Sequence, residues 1–269
     1  MKKTLVSLAI VSCALISENV IASGWERSGS GGTVEFGGTL IPDNNNESTP
    51  WKVKVGDAVN GLDAKVQKGE SIVFIKTEKP ILFLGISTAA GSDGFTGREG
   101  IAPQIDYNGA VSLDEFGSGQ TRVTIPVRDK NQTEIGFIES LFSAVGMQQW
   151  KKEEEGGRSH IVRRELFAFL PGHAFYGGAP KSWDGCVPAR MLLQTLDSLD
   201  PEIAKDAWPN DSLTYTEYDS FANGSYKYQG YYGGGIKAGT TIRLNLNTAI
   251  GSDEPLEWHA SLPVVVSYR

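Results

Sequence analysis

Few residues of this chain are of a type that does chemistry, and they are scattered. Its three histidines are His160, His173 and His259. None stands at metal-ligand spacing from another histidine, a cysteine or a carboxylate, as a zinc-binding H-E-x-x-H or C-x-x-C would require. Of two cysteines, Cys13 lies in a leader-like segment. Cys186 is then alone, which excludes both a thiolate zinc site and an intrachain disulfide and reads as a buried, inert thiol. No G-x-S-x-G nucleophile turn is present. Gly29-Ser30-Gly31-Gly32 is glycine-rich but precedes a strand pattern, so it reads as a tether rather than a phosphate loop. Glu153-Glu154-Glu155 could supply the carboxylate pair of a hydrolase, but consecutive acids in a polar run read as solvated charge. The residues therefore predict no catalytic group, no metal and no cofactor. Aromatic side chains are the other possible contact groups. Tyr226, Tyr228, Tyr231 and Tyr232 are spaced as in a strand and read as core. Trp183, in the loop-like Pro180-Lys181-Ser182-Trp183-Asp184-Gly185, is the one aromatic read as a possible ligand contact.

The ends of the chain bound what these residues can belong to. Lys2 and Lys3 precede an apolar run from Thr4 to Ile16, too short to anchor in a bilayer, and Val20-Ile21-Ala22 fits a small-residue cleavage site. Residues 1–22 are read as a signal peptide. A lipoprotein reading at Cys13 is weaker, because the apolar run continues past it through Leu15 and Ile16. No later run approaches ~20 apolar residues, so residues 23–269 are expected to be soluble once exported. The net charge of −7 and pI near 5.1 argue against nucleic acid and against docking on anionic lipid.

The elements that must position these residues read as mostly β. Asn60-Gly61, Asn108-Gly109 and Asn223-Gly224 mark turns. Between turn signals lie Trp51 to Val55, Ser71 to Lys76, Ile81 to Ile86 and Thr121 to Val127, the last with Pro126 at an edge or bulge. Thr240 to Asn247 puts Ile242, Leu244 and Leu246 on one face and Arg243, Asn245 and Asn247 on the other. Gln148 to Arg158 is polar and reads as a solvated loop or helix end. Pro188 to Leu199 reads as a helix with Leu192, Leu196 and Leu199 on one face, and Asp200-Pro201-Glu202 as the start of a second short helix to about Trp208. Together these predict an antiparallel β-sandwich with a small helical insertion at about 148–221.

Two further patterns concern the ends. Gly32 to Ile41 (GTVEFGGTLI) alternates apolar and polar side chains just after the leader, as a strand able to leave its own domain would. At the other end, Val264, Val266 and Tyr268 alternate to one face, with Tyr268 penultimate, which resembles the final strand of chaperone–usher pilins. With Asp43, Trp51 to Gly56, Asn60-Gly61-Leu62, Lys79 to Leu82, Pro103-Gln104-Ile105, Phe175 to Gly178 and Trp258 to Tyr268, these pieces are similar, in the same order, to Fae-type (FaeG-like) fimbrial subunits. The similarity covers most of residues 23–269 and is weakest over 148–170 and 179–226.

The resemblance implies an incomplete immunoglobulin-like sandwich completed by donor-strand exchange. Residues 23–41 would form the donor extension and 42–269 the subunit domain. Val34, Phe36 and Leu40 would fill a neighbour's groove, with Gly38 at a shallow point, and burying the three large side chains is worth roughly 5–9 kcal/mol. Val264, Val266 and Tyr268 would form the strand that pairs with a periplasmic chaperone. An outer-membrane usher and neighbouring subunits are the other implied partners, with a host glycan as a further one. Because the middle departs from the family's adhesin, the resemblance favours a FaeH-like minor subunit on the cell surface. The alternatives are a secreted carbohydrate-binding lectin and a major fimbrial adhesin.

Overall fold

The computed structural model describes residues 49–153, 159–209 and 215–269. The expected signal peptide (1–22), the extension 23–41 with Val34, Phe36, Gly38 and Leu40, and Glu154 and Glu155 lie outside the described residues.

Alternating sequence becomes strand almost throughout. The strands are β1 (Trp51–Val55), β2 (Ile72–Lys76), β3 (Ile81–Thr88), β4 (Phe95–Thr96), β5 (Pro103–Asp106), β6 (Gln120–Asp129) and β7 (Glu134–Glu153). They continue with β8 (Ser159–Leu166), β9 (Tyr215–Glu217), β10 (Lys227–Ile236), β11 (Thr241–Leu246), β12 (Trp258–Ala260) and β13 (Val265–Tyr268). Among the described residues there is one α-helix, α1 (Leu192–Leu199).

β7 organises the molecule. It is 20 residues long, and its two halves serve different neighbours. Residues 134–143 pair with β6, and Gly136–Glu139 with β11. Residues 143–151 pair with β10, and 146–153 with β8. One half of the ladder is thus β12-β6-β7-β11-β2 and the other β1-β3-β10-β7-β8-β9. The halves close as a β-sandwich because each turns an apolar face inward. Ile242, Leu244, Val123 and Ile125 from one half share a core with Leu84, Ile86, Tyr232 and Ile236 from the other. Trp51 seals one end of it. Its ring meets Phe95 and Phe221 edge-on at 5.0 Å, and its indole N–H donates to the Ile101 carbonyl at 2.7 Å. Gly234 lets β10 approach the centre, since a Cβ there would lie 2.6 Å from the Tyr107 hydroxyl and 2.8 Å from the Phe142 ring.

The polar middle differs from the expectation. Gln148 to Glu153 is neither loop nor helix end but the second half of β7, and β8 begins at Ser159. Pairing on both edges satisfies the backbone there, and Gln148 and Gln149 are fully buried despite their polarity. Pro188 to Leu199 forms a 3-10 turn over Ala189–Met191 followed by α1, and Leu192, Leu196 and Leu199 are buried. The second helix is absent: residues 201–206 form turns, and the Asp200 carboxylate accepts from the Glu202 N–H at 2.9 Å. Among the described residues of the 148–221 segment, the helical part is therefore confined to Trp183–Leu199. Pro126 precedes the bulge between Val127 and Arg128, so its missing N–H sits beside a break in the ladder.

The insertion covers the outer face of β3, β10 and β7. Leu192, Leu196 and Ile203 pack there on Val145, Met147 and Tyr231. Side chains from the sheet pin it through its backbone. Ser87 Oγ donates to the Ile203 carbonyl at 2.8 Å, and Gln149 Nε2 to the Trp208 carbonyl at 2.8 Å. Gln229 Oε1 accepts from the Trp208 N–H at 2.9 Å, while its Nε2 reaches the Asp206 carbonyl at 2.9 Å.

Candidate assembly groove

Of the strands that keep an edge unpaired among the described residues, β1 and β13 flank a groove. β13 pairs antiparallel with β5 alone, and β1 with β3 alone, among the described residues. The two strands meet at one end, where the Tyr268 and Thr49 side chains are hydrogen-bonded. Toward the other end the sandwich opens into a cavity of about 200 Å³. Its walls are Val55 at the end of β1, Val59 and Leu62 from the chain after it, and Leu262 and Val264 from the chain before β13. Its floor is Ile81 and Phe83 of β3, Ile125 of β6, Ile138 of β7, Ile236 of β10 and Ile242 of β11. Apart from Asp57, the side chains of this lining are aliphatic or aromatic, so the groove suits apolar side chains. The open backbone edges beside it supply directional hydrogen bonds.

The three C-terminal residues singled out in the sequence share one face here. Val266 is buried, and Val264 and Tyr268 are half-buried against the same core. Burial raises the Tyr268 phenol above its ordinary pKa, so it stays neutral and acts as an apolar ring with one hydroxyl. The opposite face of β13 is more polar. Val265, Ser267 and Arg269 line a separate cavity of about 420 Å³ with Gln104, Asp106 and Tyr176. The floor of the groove was not identified from the sequence. Its signal was present in the inward positions of five strands, but nothing local marks which inward positions lack a cover.

Trp183 stands in a 3-10 turn, 71% exposed, on the insertion. The structure adds a second exposed aromatic surface that the sequence reading missed. His173 stacks on Tyr218 at 4.7 Å, and Phe169 meets both edge-on, at 4.4 and 5.3 Å. Gln104 holds this loop, accepting from the Gly172 N–H at 2.9 Å and donating to the His173 carbonyl at 3.0 Å. Burial lowers the His173 pKa, which keeps the imidazole neutral beside the rings. Three of the four tyrosines, Tyr228, Tyr231 and Tyr232, are buried strand residues of β10, whereas Tyr226 lies half-buried in the bend before it. Cys186 is buried, and among the described residues no group of His, Cys, Asp and Glu could hold a metal ion. No described helix is long and apolar enough to cross a membrane.

A β-sandwich with two unpaired edges flanking an apolar groove has the architecture of a subunit that builds onto others. The family described as "Fimbrial, major and minor subunit" matches residues 1–269, and the chain belongs to that family of structural subunits. It is similar to the F41 fimbrial protein of Escherichia coli, at 27% identity over the full length of both chains. It is also similar to the K88 fimbrial proteins AC and AB of Escherichia coli, at 27% and 28% identity, again over both full lengths. The chain is thus a fimbrial subunit of a cell-surface appendage, assembled with other fimbrial subunits.

Proposed function

We propose that this chain is a minor structural subunit of an adhesive fimbria, polymerised by donor-strand exchange along the chaperone–usher route. The observation that carries the reading is the apolar groove between β1 and β13, each with an edge unpaired among the described residues. A donor strand inserted there would hydrogen-bond to both edges and turn alternate side chains onto the isoleucine floor. Val34, Phe36, Gly38 and Leu40 have the required period of two and span about 20 Å at ~3.3 Å per residue. They are the proposed filling of the next subunit's groove. Before assembly a periplasmic chaperone strand would occupy the same groove against Val264, Val266 and Tyr268, until the usher exchanges it for a donor. Unzipping such a strand requires breaking all its contacts together, so the polymer would be kinetically durable.

An adhesive contribution is part of the proposal. Trp183 and the Phe169–His173–Tyr218 surface present ring faces with polar neighbours, as sugar-stacking surfaces do. This is also the observation that favours the alternatives, a lectin or a major adhesin.

Two variants test the assembly reading. Deletion of residues 23–41 is expected to abolish joining to the preceding subunit while leaving acceptance of a donor strand intact. Val264→Asp is expected to do the reverse, because an unpaired carboxylate in the groove costs several kcal/mol. Polymers of normal length from either variant, read by gel mobility of heat-resistant oligomers, would overturn donor-strand exchange. A lectin would instead fold and bind glycan as a complete monomer.

A further inference from the structure

Beneath the insertion, away from the groove, lies a buried carboxylate. Glu165 of β8 is 1% exposed. Its Oε1 accepts the Val187 N–H at 2.9 Å, its Oε2 makes no hydrogen bond of ordinary geometry, and the other donor beside the carboxylate is the weakly donating Cys186 thiol. Val187 and Cys186 belong to the turn that carries the chain from Trp183 into α1, so Glu165 grips the base of the insertion. Val187 itself packs in the outer-face cluster with Met147, Leu192 and Leu196.

We propose that Glu165 is a proton-operated latch: the protonated carboxyl holds the Ser182–Met191 base of the insertion on the sheet, and the ionised carboxylate releases it. A neutral carboxyl can still accept the Val187 N–H at one oxygen and leaves no net charge in the interior. An ionised one leaves a partly charged Oε2 without a hydrogen bond of ordinary geometry in an apolar layer.

Among the described residues no cation is ion-paired with Glu165. The facing turn brings the Cys186 thiol, with Asp184 exposed nearby. On β7 the directly paired residue is Met147, and beyond it β10 places the buried Tyr231. On β9 the paired residue is Thr216, while Glu217 pairs with Leu166 and so belongs to the other face. Arg164 likewise faces away, 3.7 Å from Asp219. Arg163 shares the face of Glu165 and directs its Nη2 to the Trp208 carbonyl at 3.2 Å. From the helical side come Leu192 and Leu196, with Arg190 exposed.

Burial, partly offset by the Val187 N–H and Cys186, pushes the Glu165 pKa up from 4.5 to about 7. The same burial, with the nearby Glu165 charge, pushes the Cys186 thiol above its ordinary range. The sign follows from linkage. The unfolded chain ionises Glu165 near 4.5, and the latched state resists ionisation to about 7. The stability that the latch contributes is therefore full below the unfolded pKa and is lost as pH rises through the folded one. When the base lifts, Cys186 is the side chain uncovered beside it.

Cys186 is a built-in reporter of this motion. The measurement is its rate of modification by a maleimide in the full exported chain, divided at each pH by the rate for the same chain in denaturant. The division removes the thiol's own ionisation. Protection is expected to fall about ten-fold or more between roughly pH 5.5 and 8.5. In Glu165→Gln, which keeps the acceptor for Val187 but cannot ionise, it is expected to stay flat. Constant protection in the natural chain, or an equal fall in Glu165→Gln, would overturn the latch. Should the variant fail to fold, amide exchange at Val187 in the natural chain gives the same decision. Protection that weakens with pH beyond the intrinsic exchange rate supports the latch, and unchanged protection rejects it.

Discussion

The inner and outer faces of the β3–β10–β7 layer are both apolar, and they are closed in different ways. The inner face meets the second half of the sandwich and ends in a groove lined by isoleucine, leucine and valine. The outer face lies under a covalently attached insertion, fixed by hydrogen bonds from Ser87, Gln149, Gln229 and Glu165 to the insertion's backbone. Burial of apolar area is non-directional and roughly proportional to the area removed from water. A groove closed that way can accept different strands in succession. Buried side-chain hydrogen bonds are directional and costly to leave unmade. A cover closed that way keeps one position for as long as those hydrogen bonds hold. Under the proposed donor-strand exchange, the dry surface is the one that changes partners and the surface with buried polar groups is the one that does not.

Trp208→Ala attacks the fixed cover most severely. The indole is buried, donates from Nε1 to the Ser92 carbonyl at 2.6 Å, and lies under the Lys151 ammonium at 4.3 Å. Removing it is expected to cost about 3–5 kcal/mol. For a domain of this size that lowers the melting temperature by roughly 10 °C. Circular dichroism melting checks this. An unchanged midpoint would mean that the insertion is not integral to the fold.

Adjacent glycines of β10 compare the two faces directly. At Gly234 a Cβ would stand 2.6 Å from the Tyr107 hydroxyl and 2.7 Å from that of Tyr232, a hydrogen-bonded pair in the sandwich core. Gly234→Ala is expected to destabilise by about 1–3 kcal/mol. At Gly233 the nearest atoms are aliphatic ends of Ile203, Leu196 and Leu199 at 3.1–3.3 Å. Gly233→Ala is expected to fall within ~1 kcal/mol of neutral, since reduced unfolded-state entropy offsets the crowding. Urea midpoints measure both, and a reversed order would show the insertion side to be the more tightly packed. Lys54→Ala should matter least. The Lys54–Asp200 ion pair, at 2.8 Å, links β1 to the turn after α1, but the lysine side chain is 55% exposed. Its loss is expected to leave the urea midpoint unchanged, because exposed pairs contribute little. A clear drop would mean that the cover is held by surface charge rather than by the buried hydrogen bonds.

Much of the architecture was legible in the sequence, and the reasons are particular. Thr240 to Asn247 was read correctly face by face because one side of β11 is buried and the other wet, so period-two alternation carries the whole signal. The leucines of α1 were readable for the same reason at helical period. Gln148 to Glu153 was misread because its strand character comes from β10 and β8 pairing on both edges, not from its side chains. The turn after Asp200 was misread as a helix because its start signal was real, whereas Trp208 is positioned by hydrogen bonds from β7, β8 and β10.

The sequence by itself determined the β character, the inward faces of its strands, the leucine face of the helix and, through its order of motifs, the family. Those properties depend on near neighbours in the chain and on a periodic pattern. Only the tertiary structure decided which edges stay unpaired, which inward isoleucines form an uncovered floor, and that Glu165 lies in the dark beneath the insertion. Edge pairing and the burial of a polar side chain depend on partners distant in sequence, and no local pattern encodes the identity or the absence of a partner.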